Sequence, residues 1–177
     1  MPPADEPASI LSFWFEECRP VQWFRADPEF DACIAERFGH RVKQAIQGEL
    51  MHWEQHPDSA LALVLLLDQF TRQIWRHQPR AFSGDPMALR ISLRAEVCGW
   101  IAAEPSRPKR QFWLMPRLHS EDLSIQTAAV PLFELWTDPR TTALARRYRE
   151  IIASHGRFPH RDPIRQRSPE RNGSDRG

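Results

Sequence analysis

Lysine is nearly missing from this chain. Of 24 basic residues only Lys43 and Lys109 are lysines, so the positive charge is carried by 22 arginines. Cysteine is scarce too. Cys18, Cys33 and Cys98 stand far apart with no CxxC spacing, which argues against a disulfide scaffold and for a reducing compartment, where they pack as small apolar residues. Long apolar runs are lacking: the longest, Ala60 to Leu67, has eight residues and is far too short to span a bilayer. Met1 to Ser9 holds Asp5, Glu6 and three prolines rather than a basic segment followed by an apolar one, so a cytoplasmic protein is expected. Charge of one sign is also missing. The net charge of +1 gives no overall field to draw nucleic acid or an anionic membrane. No phosphate-binding glycine loop, dinucleotide fingerprint, nucleophile elbow or zinc spacing occurs, and no cofactor or metal is expected.

What is present is globular composition, with 41% hydrophobic and 27% charged residues in 177, enough for one domain with a core. Helix punctuation recurs. Asp27-Pro28, Asp85-Pro86 and Asp138-Pro139 each set an acid that can cap backbone N–H groups before a proline that loses nothing in the first turn. Apolar residues at helical spacing follow each pair, and the runs end near Gly48, Gly99 and Gly156. Further helices are predicted over Ile10 to Cys18, from Ala60 to about Trp75, and from Ser120 to Trp136 with a break at Pro131. No stretch alternates with period two for long enough to be a strand. Arg76 to Gly84 and Pro105 to Met115 read as ordered loops. The expectation is one all-α domain over residues 1–167, with helices antiparallel to their neighbours and a frayed polar tail over 168–177. Most of the seven tryptophans should wedge between helices.

Three segments carry groups able to do chemistry. In the first, Asp68, Arg72 and Arg76 share one helix face at the end of the most apolar helix. Asp68 and Arg72 form an internal ion pair, or Arg72 and Arg76 clamp an anion. In the second, His119 precedes Ser120, Glu121 and Asp122. These are a helix cap, an acid–base pair with His119, or a pair of metal ligands. In the third, His155, Arg157, His160 and Arg161 crowd the end of a helix. They complement the helix dipole, or bind a carboxylate or phosphate while His160 moves a proton.

These motifs, in this order, resemble a bacterial family catalogued as domain of unknown function 924. The resemblance runs over about residues 10 to 167. It rests on Ile10 to Phe15, Trp23-Phe24, Gly48, Trp53, Leu67 to Phe70 with Arg72 and Arg76, Ala81-Phe82 with Asp85, His119 to Asp122 with Gln126, and Gly156 to Arg161. Gln73, Asp162 and Arg165 to Arg167 depart from the family's usual pattern. The resemblance implies a tetratricopeptide-like stack of helices and supplies no activity.

Two functions follow as expectations. One is a binding module, whose helical groove takes a peptide, a partner protein or a small anionic ligand. The other is a small cofactor-free enzyme for an anionic metabolite. There Arg72, Arg76, Arg157 and Arg161 bind the anion, His119 or His160 serves as acid and base, and Asp68 or Glu121 orients the imidazole.

Overall fold

A computed structural model describes residues 6–167, and every regular element among them is helical. The apolar run expected to be central is the axis of the molecule. Helix α4 (Pro57–Val64) continues through a wide, π-helical turn (Leu65–Phe70) into α5 (Thr71–Ile74), and every side chain from Ala60 to Thr71 is buried. A rod that is apolar on all sides has to be covered on all sides. Helices α1 (Glu6–Ser12), α6 (Asp85–Val97) and α8 (Arg107–Leu118) pack on α4, while α3 (Pro28–Ile46) covers the wide turn and α5. Beyond α8, helices α9 (Leu123–Trp136) and α10 (Pro139–His155) pack in succession as a helical hairpin. The shorter α2 (Pro20–Phe24), α7 (Trp100–Ala103) and α11 (Asp162–Arg165) lie between the longer ones.

Much of the punctuation acts as expected. The Asp27 and Asp138 carboxylates accept the first free N–H groups of α3 and α10, and each helix begins with its proline. Gly156 ends α10 with φ +68°, a left-handed geometry that glycine adopts without strain.

The departures have local causes. Asp85 is no cap: Gly84 precedes α6, and the Asp85 carboxylate turns inward to Arg72. Ser120 does not cap α9 either. Asp122 does, accepting from the N–H groups of Ser124 and Ile125. Pro131 sits inside an unbroken α9, on its exposed side, where water can serve the carbonyl that proline cannot reach. The segment 105–115, read as a loop, is most of α8. Its Phe112, Trp113, Leu114 and Met115 are core residues, and the helix is capped by the Ser106 hydroxyl. The first helix is regular only to Ser12 and then widens into a second π-helical turn, Phe13–Glu17. The predicted tail, 168–177, lies outside the described residues. No helix among those described is long and apolar enough to cross a membrane.

Candidate functional site

The wide turn at Leu65–Phe70 brings two polar residues into the core. Asp68 is fully buried, and the side chain of Gln69 is nearly so. A buried carboxylate needs its lone pairs filled. One Asp68 oxygen faces Nδ1 of His119 at 2.7 Å, the other accepts from the Gln69 amide at 2.7 Å, and Arg72 lies 3.6 Å away. His119 is the residue that ends α8, so the pair joins two helices 51 residues apart in sequence. Burial opposes the ionisation of Asp68, but the charges and hydrogen bonds of His119, Arg72 and Gln69 hold the carboxyl below its usual range. Burial, seconded by the charge of Arg72, pushes His119 below its ordinary value against the pull of Asp68. The consistent state is an ionised Asp68 accepting the Nδ1 proton of a neutral imidazole. Nε2 then keeps its lone pair, and among the described residues nothing hydrogen-bonds it.

The imidazole lines a small cleft of about 170 Å³. The floor is Gln69, Arg72, Gln73 and Arg76 from the rod, and the wall is Trp23, Phe24, Arg25 and Met115. Gln73 is only 6% exposed, and its Oε1 is shielded from water with no hydrogen-bond partner among the described residues, which is costly unless something outside the chain supplies a donor. Arg72 and Arg76 are held rather than free. Arg72 grips Asp85 through two bonds of 2.8 and 3.0 Å, and Arg76 grips Asp31 of α3 through two of 2.7 and 2.8 Å. The Arg72–Asp85 pair depends on close packing. At Gly84 a Cβ would sit 2.2 Å from the Leu67 carbonyl oxygen, so only glycine lets the start of α6 press on the wide turn. The wall is fixed from beneath: Trp23 donates to the Trp14 carbonyl at 3.0 Å and packs edge-on to Phe112.

The remaining predicted residues lie behind this cleft rather than in it. Arg161 is buried and donates to the His119 carbonyl at 3.1 Å, with its guanidinium over Phe82 and Phe158. Burial, then the charge of Arg72, lowers it to about 10. Arg157 pairs with Asp162 at 2.9 Å. Glu121 accepts from the backbone N–H of Phe158 and from Arg167, so it braces the last loop and does not orient an imidazole. His160 packs beside Phe158, is lowered by burial and by Arg161, and is not among the residues lining the cleft. Of the expected set, Asp68, His119, Arg72 and Arg76 come together at the cleft, while His160, Glu121, Arg157 and Arg161 form the layer that supports it. No group of three or more His, Cys, Asp or Glu among the described residues is arranged to hold a metal.

The family model described as bacterial protein of unknown function, DUF924, matches residues 10–172. The chain belongs to DUF924. A solved structure of a protein of unknown function from Agrobacterium tumefaciens is similar to it, with a TM-score of 0.87 at 33% identity over 93% of this chain and 92% of that one. No curated protein matches it.

Sequence reasoning on this DUF924 chain overlooked Gln73 as a site residue and the contribution of α2. Gln73 stood out only as a departure from the family's pattern. Arg25 gave no signal at all, because five residues bracketed by Arg19-Pro20 and Asp27-Pro28 are too few for a periodicity.

Proposed function

We propose that the protein is an acid–base enzyme for a small anionic metabolite, with His119 as its general base and Asp68 as the group that orients it. One observation carries this reading: a fully buried, ionised carboxylate holds one nitrogen of a neutral imidazole while the other nitrogen faces a polar cleft. A general base has to be unprotonated at working pH and fixed in one tautomer, and both conditions follow from the surroundings of His119. Proton abstraction at Nε2 would make an imidazolium beside the Asp68 carboxylate, which offsets part of the cost. Gln73 Oε1 offers the substrate an acceptor. Spare guanidinium N–H groups of Arg76, with the exposed Arg25, favour a negative charge nearby. The tetratricopeptide-like stack that the sequence suggested, with its groove for a peptide, explains the helices but not why a histidine is held by a buried acid. A cytoplasmic setting suits three cysteines that are all free thiols.

The test uses a pool of small carboxylates and phosphates, with conversion followed by mass spectrometry for wild type and His119→Gln. At least one compound should be turned over by wild type and at least ~100-fold more slowly by the variant. Equal conversion by the two proteins would remove His119 from the chemistry.

A further inference from the structure

The polar cleft is not closed at its outer end. Trp23, Phe24, Arg25 and Met115 line it and also line a second, larger groove of about 940 Å³ between α2, the start of α8 and the start of α10. That groove is within the size range of small-molecule sites. Its surface is unusual for the exterior of a protein. Val21 and Phe24, on one five-residue helix, are 59% and 60% exposed, and Leu144 faces them from α10. Around this apolar floor stand Arg25, Arg107 and Arg140, all exposed, and none makes an ion pair among the described residues. The one acid of the groove, Asp138, is already committed, since it accepts from the backbone of Arg140 and Thr141 and from the Thr141 hydroxyl at the N-terminus of α10.

We infer that the substrate of the His119 site is an apolar carboxylate, an acyl or aryl chain whose body lies on Val21, Phe24 and Leu144 and whose charge is met by the arginine rim. The inference rests on the reading of the cleft given above and adds the class of molecule. Exposed side chains of this kind lose contact with water when an apolar chain covers them. Three guanidiniums without carboxylates select an anion over a neutral molecule of the same shape. The shared Trp23, Phe24 and Met115 let one molecule touch both the groove and the polar cleft.

Isothermal titration with dodecanoate, kept below the concentration at which it forms micelles, tests this. Dodecanoate should bind one to one, with dodecanol and butyrate each weaker by about tenfold or more, the first lacking charge and the second apolar surface. Charge reversal at the rim, Arg25→Glu with Arg107→Glu and Arg140→Glu, should weaken dodecanoate by about tenfold or more, because every side chain changed is exposed and the fold is spared. Phe24→Ser should weaken it comparably. His119→Gln should bind it within about threefold of wild type, so a failure of the base assignment is distinguishable from a failure of this one. Absence of saturable binding, equal affinity for dodecanol, or indifference to the rim reversals would overturn the inference. So would displacement of bound dodecanoate only by an acidic amphipathic peptide and not by other apolar carboxylates, because the groove would then be a protein-docking surface.

Discussion

At the scale of single residues, the molecule turns on what Asp68 and His119 do to each other. Removing the carboxylate strands the Gln69 amide and Arg72 in the interior. Asp68→Ala should therefore cost about 3–5 kcal/mol in urea denaturation, as breaking a buried pair does. Asp68→Asn should drive the titration of His119 further down, since the carboxylate is the chief group favouring the protonated ring. Two-dimensional NMR of the imidazole nitrogens would read this, and a titration that moves up would show that Asp68 is not the partner. The same shifts set the pH dependence of stability. His119 is lowered in the folded protein, so as pH falls the unfolded chain takes up its proton first. The stability that this group contributes is complete above the ordinary value of 6.5 and is lost as pH falls through the folded value. Asp68 adds a loss of the same sign below its ordinary 3.8. The melting temperature should be flat above pH 7 and decline from about pH 6.5 downward. In His119→Gln that first decline should disappear and only the carboxylate phase remain.

At the scale of elements, two features are open to direct measurement. The contact between Gly84 and Leu67 leaves no room for a methyl group, so Gly84→Ala should cost about 1–3 kcal/mol through forced backbone movement. It should also weaken the Arg72–Asp85 pair that the contact positions. The capping of α9 separates two neighbours: Asp122→Ala should cost about 1 kcal/mol, and Ser120→Ala clearly less. Equal effects would mean that the helix starts earlier. The elements that sequence reasoning found were those with punctuation at both ends, such as α3 between Asp27-Pro28 and Gly48. Helix α8 escaped because Pro105, Pro108 and Pro116 read as breakers. Yet Ser106 caps the helix, Pro108 falls in its first turn where no N–H is needed, and Pro116 falls near its last. Position relative to the helix end decides what a proline does, and composition alone does not show it.

At the scale of the whole molecule, one core runs from Ile10 through the central rod to Phe133 and Ala145. Tryptophans from Trp14 to Trp136 are distributed along it. Unfolding followed by tryptophan fluorescence and by far-ultraviolet circular dichroism should give coincident transitions. Separate transitions would divide the chain into two cooperative units. The site could be read from the sequence only in fragments. The Asp68, Arg72 and Arg76 face was legible because helical spacing is local. The partnership of Asp68 with His119 was conceivable only as one of several pairings, since nothing within either segment says that α8 ends against the wide turn. Gln73 and the α2 wall depend wholly on packing.

The extra residue accommodated between Leu65 and Phe70 has a consequence for the chain's register. Deleting one position there would let the rod close into an ordinary α-helix with its backbone bonds intact. Everything downstream would then rotate by about 100° about the axis. Arg72 and Arg76 would swing away from Asp85 and Asp31, and the histidine at the end of α8 would meet a different side chain. A helix made more regular by this one-residue excision would be a worse protein.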